Sequence, residues 1–120
     1  MIILENWQYR YVEKCLYSYN KIKDSELDTE KKIVSSIEAA LEFFKDSPHE
    51  KMMREFYFKA DKYRRKFTVS GHHNHVCIKH VYTEPANGFV IRREIIYKVA
   101  MYCYYNHIFK LNKNKRKAGK

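Results

Sequence analysis

Apolar residues recur at intervals of three and four along most of this chain, the spacing of one face of a helix. In residues 5–23, Trp7, Tyr11, Val12, Cys15, Leu16, Tyr19 and Ile22 build one such stripe and predict a first helix. A polar run over 21–28 predicts a bend. Asp28 fits the cap of a second helix, with Glu30 near its positive end. Ile33, Ile37, Ala40, Leu41 and Phe44 then repeat with helical period. Ser47, Pro48 and Glu50 form a start signal for a third helix: N-cap, first helical position and capping box. That helix carries Met52, Met53, Phe56 and Ala60 inward and runs out in a basic end.

The stretch 67–82, FTVSGHHNHVCIKHVY, is harder to read. Its pattern fits a short fourth helix over 70–80, with Val76, Cys77 and Val81 inward. A turn over 82–85 follows, then a fifth helix from about Glu84 to Phe109. Its expected buried side holds Phe89, Ile96, Val99, Ala100, Cys103, Tyr104 and His107. A β-hairpin competes over 76–96, because that stretch is rich in β-branched residues and Asn87-Gly88 is a favoured hairpin turn. The unbroken run EIIYKVAMYCYYNH has helical period, and Arg92 and Arg93 beside Glu94 spoil strand alternation, which favours the helix. Residues 110–120 are basic with little to bury, and are expected to be disordered.

Length and composition agree with this pattern. With 120 residues, 45% of them hydrophobic, the chain suits one all-α domain with a modest core. Three glycines and two prolines are too few for a many-stranded sandwich. The organisation expected is a helical bundle: supporting helices over 1–66, a helix-turn-helix unit over 67–109, and a basic tail over 110–120. Charge divides the chain unevenly. Residues 1–58 hold 9 Lys and Arg against 11 Asp and Glu, while residues 59–120 hold 15 against 3. A basic half beside a near-neutral half points to a polyanionic partner. The three cysteines are odd in number and form no CxxC pair, so reduced thiols in a cytoplasmic protein are the simplest expectation. The N-terminal run lacks the marks of a signal peptide, and no run approaches the roughly 18 apolar residues of a membrane span.

The candidate chemistry centres on residues 83–100, TEPANGFVIRREIIYKVA, which combine a cap-like Thr83, a polar turn, two arginines and an apolar stripe. That arrangement fits the second helix of a helix-turn-helix, whose N-terminal residues reach base edges in the major groove. Asn87 and Arg92 are the candidates for bases or adjoining phosphates, and Arg93 and Lys98 for phosphates. Lys79, Arg64, Arg65 and Lys66 are candidates for backbone contacts that fix position without reading sequence. The competing reading is that one arginine only pairs with Glu94 or with an acidic residue of the first two helices. Pro85, Asn87 and Gly88 make a poor first turn, since a helical glycine costs roughly 1 kcal/mol against alanine. His72, His73, His75, Cys77 and His80 cluster within nine residues, but no standard zinc spacing is met and no metal or other cofactor is expected. No paired carboxylates stand in the basic half, no glycine-rich phosphate loop is present, and no nucleophile has an evident base, so an enzyme is not expected. Tyr9, Tyr11, Tyr17 and Tyr19 spread widely around the first helix. They fit either a protein partner, through dimerisation or RNA polymerase contact, or rings packed inside with wet hydroxyls.

Three segments carry a resemblance. VEKCLYSYNKIK is similar to the N-terminal helix of the small phage-encoded transcription regulators of the RinA and ArpU type. SIEAALEFF with KMMREFYFK resembles their middle segment, and FVIRREIIYKVAMYCYY resembles their recognition helix, itself similar to region 4 of sigma-70 factors. The chain departs from the pattern where Thr83 takes the cap place, Pro85 enters the first turn, Gly88 replaces a helix former, and HHNHVC stands where small apolar residues are usual. The resemblance implies a sequence-specific regulator of transcription that docks its last helix on double-stranded DNA, an activator of phage late or packaging genes. The alternative it leaves is a region 4-like module that binds RNA polymerase or a regulator rather than DNA.

Overall fold

The computed structural model describes residues 4–108, and among these every regular element is helical. Helix α1 (Asn6–Ile22) starts at a capping box, in which the Glu5 amide donates to Gln8 Oε1 at 2.9 Å. Helix α2 (Asp28–Phe43) has Leu27, not Asp28, at its N-cap position. Asp28 and Glu30 both fall in the first turn, where their charges still favour the helix's positive end.

Helix α3 (Pro48–Met52) has the expected Ser47 cap and Pro48 start, but the capping box does not form. The Ser47 amide bonds the Phe44 carbonyl, and Glu50 turns to the residue before Ser47. Ser47 Oγ accepts from the His49 amide, Pro48 takes the first position, and Glu50 reaches back to the Asp46 amide at 2.9 Å. The helix then widens without a break into a π-helical turn, Met53–Tyr57, and after two residues continues as the single turn α4 (Ala60–Tyr63). The same device recurs in the next element. Helix α5 (Val69–Val76), capped by Thr68 Oγ1 on the Gly71 amide at 3.0 Å, widens into a π turn over Cys77–Val81. Helix α6 (Pro85–Tyr105) closes the fold.

The hairpin alternative over 76–96 is therefore overturned: both segments are helical, and Asn87 and Gly88 lie in the first turns of α6. The cap also shifts, with Glu84 rather than Thr83 at the N-cap position. The helix stops at Tyr105, short of the expected Phe109, where Asn106 bonds Ser36 Oγ through its side chain at 2.8 Å. Phe109 and the basic run 110–120 lie outside the described residues.

One core joins both halves of the chain. Val12 and Leu16 of α1, Ile37 and Ala40 of α2, Met52, Met53 and Phe56, and Ile95, Ile96 and Val99 of α6 are all buried in it. Helix α6 packs on α1, α2, α3 and α5 and is the central strut. The stripe residues at its edges fare differently from expectation. Phe89 is 55% exposed and His107 is exposed, and Trp7 of α1 is 55% exposed. A helix with neighbours on several sides has no single apolar stripe, so periodicity misplaces its margins. No helix among the described residues is long and apolar enough to cross a membrane.

Gly88 has a packing reason for its place in a helix. A Cβ there would run into Cys77 Sγ and would lie 3.0 Å from the His73 ring. The missing side chain lets α6 approach α5 closely. Gly88→Ala is therefore expected to destabilise the protein by about 1–3 kcal/mol despite the better helix propensity of alanine. Thermal and urea unfolding check this; a stabilised variant would refute the close-packing account.

Candidate nucleic-acid interface

The unit built from α5 and α6 hinges on a three-residue turn. Tyr82 adopts the left-handed region (φ 59°, ψ 48°), which reverses the chain directly after the π turn. The Thr83 amide bonds back to the Cys77 carbonyl at 2.9 Å, and Thr83 Oγ1 accepts from Asn87 Nδ2 at 2.8 Å. Thr83 thus braces the turn through Asn87 instead of capping the helix. His73 Nε2 meets the Pro85 carbonyl at 2.9 Å, which ties α5 to the first turn of α6.

Below that turn lies a polar network centred on Arg92. Its Nη2 donates to Glu13 Oε2 at 3.0 Å, its Nε donates to the Tyr57 hydroxyl at 3.2 Å, and its Nη1 meets His73 Nδ1 at 3.0 Å. Tyr57 in turn donates to the same Glu13 oxygen at 2.9 Å. The guanidinium lies 4.3 Å from the centre of the Phe56 ring, and the Arg92 side chain is only 12% exposed. Burial alone would lower the Arg92 pKa, but Tyr57 and Glu13 outweigh it and hold it above the usual value. Burial pushes the Tyr57 hydroxyl well above the ordinary tyrosine range.

Arg92 is therefore not available to DNA bases, and its assignment as a base contact is corrected. An inward guanidinium needs partners for its N–H groups, and Glu13, Tyr57 and His73 supply them. The acidic partner on the first helix was the competing expectation for one of the two arginines. Glu94, the other acid considered, pairs with His49 at 2.7 Å. Neither Glu13 nor Tyr57 stood out in the sequence. The one available signal is Glu13 between Tyr9 and Tyr17, an acid four residues from each of two aromatics on the inward side.

The other candidates remain at the surface. Asn87, Arg93, Lys79, Arg64, Arg65 and Lys66 are exposed, although the Asn87 side chain is engaged with Thr83. Lys98 is half-buried, with Nζ 3.8 Å from the centre of the Phe43 ring. Alongside Asn87 and Arg93, the first turns of α6 expose Ala86, Phe89 and Val90. The four tyrosines of α1 are half-buried with their rings against the core, and Tyr19 donates to Glu38 at 2.8 Å. Charge is milder here than in the whole chain. Six of the 24 Lys and Arg lie in 109–120, so the described residues hold 18 against 14 acids.

The histidines divide between buried and surface work. His73 accepts from Arg92 at Nδ1, so its proton sits on Nε2 and faces the Pro85 carbonyl. His72 bonds the Glu55 carbonyl through Nε2 at 3.0 Å, while its Nδ1 is buried with no hydrogen-bond partner. Among the described residues, no three His, Cys, Asp or Glu side chains converge so as to hold a metal ion.

No protein family model, no curated protein and no solved structure matches this chain.

Two measurements follow from the network. Arg92→Ala would leave the Glu13 carboxylate without its cation and His73 Nδ1 without its donor, and is expected to cost about 3 kcal/mol of unfolding free energy, whereas exposed Arg93→Ala leaves the denaturation midpoint unchanged. Equal midpoints for the two variants would refute the inward arginine. Burial lowers the pKa of both His72 and His73 from 6.5. A histidine held neutral in the fold binds its proton first in the unfolded chain. Stability is then complete above pH 6.5 and falls as pH drops below it, by up to roughly 1.4 kcal/mol per pH unit for each histidine. Urea unfolding at a series of pH values checks the sign; stability that rises on acidification would refute it.

Proposed function

We propose that this protein is a DNA-binding regulator of transcription whose α5–α6 unit docks on the duplex as a helix-turn-helix. The observation that carries the reading is the tight turn between two helices, with Ala86, Asn87, Phe89, Val90 and Arg93 facing outward on the first turns of the second. A second helix whose first turns are largely exposed suits groove insertion, where the N-terminal residues of the recognition helix meet base edges. Arg93 can pair with guanine, Val90 and Phe89 can meet thymine methyl groups, and Asn87 can reach adenine if it gives up Thr83. Arg64, Arg65, Lys66 and Lys79, all exposed, would meet phosphates, which set affinity and its salt dependence without reading sequence. Activation of phage late or packaging genes is part of this proposal on the resemblance alone.

A second reading has its own observation. Ile78 (56%), Tyr82 (81%), Phe89 (55%) and Val90 (37%) are all exposed on the same two helices and their turn. Exposed apolar side chains suit a protein partner, and RNA polymerase is the one the region 4 resemblance implies.

Selection of genomic fragments on the immobilised protein, followed by gel shift on the enriched sequence, separates the two. The duplex reading expects retention, loss of sequence preference in Asn87→Ala with Arg93→Ala, and uniformly weaker binding with a flatter salt slope in Lys79→Ala. Failure to retain any duplex at moderate salt, together with co-purification of polymerase, would replace it with the second reading.

A further inference from the structure

The segment that joins α4 to α5 concentrates two kinds of side chain. Lys62, Arg64, Arg65 and Lys66 are exposed, and none of them makes an ion pair among the described residues. The one acid beside them, Asp61, pairs with Lys21 instead at 3.7 Å. Two half-buried rings accompany the cations, Tyr63 among them and Phe67 directly after them, 5.9 Å apart. Each is backed by a histidine of α5: Tyr63 stacks on buried His72 at 4.5 Å, and Phe67 stacks on half-buried His75 at 5.1 Å. His75 also lies 5.7 Å from Tyr63, so the rings form one continuous strip edged by positive charge.

Four cations within five residues repel one another, and none has an acid within ion-pair distance among the described residues, although Arg64 lies 5.2 Å from the centre of the Tyr17 ring. A polyanion would relieve that repulsion. Duplex phosphates can use the cations, but a duplex hides its base faces and leaves the rings without a partner. An unpaired strand offers both features at once: regularly spaced phosphates, and planar bases that stack on aromatic side chains with little regard to sequence.

We propose that residues 62–67, together with His75, form a binding strip for single-stranded nucleic acid. Lys62, Arg64, Arg65 and Lys66 hold the phosphates, and Tyr63 and Phe67, braced from behind by His72 and His75, stack the bases. The strip shares Arg64, Arg65 and Lys66 with the duplex reading, but its rings are distinct from Asn87 and Arg93. Asn87→Ala with Arg93→Ala therefore leaves strand binding intact whatever becomes of duplex binding.

The test uses the full chain and a labelled oligothymidine strand, followed by fluorescence anisotropy. The comparison ligand is an abasic strand of equal length, which keeps every phosphate and removes every base. The thymidine strand is expected to bind at least about tenfold more tightly than the abasic one. Tyr63→Leu with Phe67→Leu brings the two affinities together, while Tyr63→Phe with Phe67→Tyr preserves the gap. A strand carrying 5-bromouracil is expected to cross-link on illumination to Tyr63, Phe67 or His75. Equal affinity for the two strands overturns the proposal, as does cross-linking elsewhere or binding to anionic phospholipid vesicles without binding to the strand. If the leucine variant loses its helical circular dichroism, the strand comparison and the cross-link map on the unaltered protein still decide.

Discussion

The arrangement of the helices depends on how the buried Arg92 guanidinium is satisfied. A cation this deep is tolerable only when its donors are paired, and the three that are paired here reach three different elements: Glu13 of α1, Tyr57 of the first π turn and His73 of α5. Apolar contacts between helices are permissive and allow neighbouring packings of similar energy. A fixed guanidinium fork is less permissive, because its N–H vectors must meet acceptors at hydrogen-bond distance. The network therefore restricts where α6 can sit against the other three elements. Through His73 it also reaches the Pro85 carbonyl, so the entry into α6 is held by the same set of bonds.

The close contact at Gly88 depends on the same placement. His73 must stand against α6 to serve Arg92, and its ring is one of the two groups that fill the space where a Cβ at position 88 would be. The π turns bear on this as well. Tyr57 sits at the end of one and Cys77 at the start of the other, so both widened turns deliver side chains to this centre. Widened turns of this kind occur where a helix must present side chains off the regular 3.6-residue spacing.

Much of the fold was legible in the sequence. Helices α1, α2 and α3 start within a residue or two of where periodicity and the Ser47-Pro48 signal put them, and Met52, Met53, Phe56 and Ala60 are buried as that pattern requires. The candidate site was legible only in part. Arg92 and Arg93 are neighbours of the same type, so composition and motif cannot tell them apart. About 100° of helical rotation sends one into the core and the other to solvent, and the partners that decide it lie 79 residues away at Glu13 and 35 away at Tyr57. Gly88 looked like a defect for a related reason, since its value lies in what α5 brings against it. The π turns left no mark that a period of three and four could reveal.

The inward turn of Arg92 changes what a nucleic-acid surface on this protein has to be. With that residue removed from the surface, the outward side of α6 retains Arg93 as its exposed arginine, beside Glu94, which is tied to His49. The described residues carry a small positive excess, and its densest part is not on α6 but at Lys62, Arg64, Arg65 and Lys66. Affinity for a polyanion follows the number of phosphates neutralised, whereas discrimination follows contacts with base edges. On the proposed reading these two tasks fall to different elements: the segment before α5 supplies most of the attraction, and the first turns of α6 supply the choice. The bonds from His73 to Arg92 and Pro85 hold α5 against the start of α6, so the distance between the attracting and the reading surfaces is set inside the core rather than at the nucleic acid.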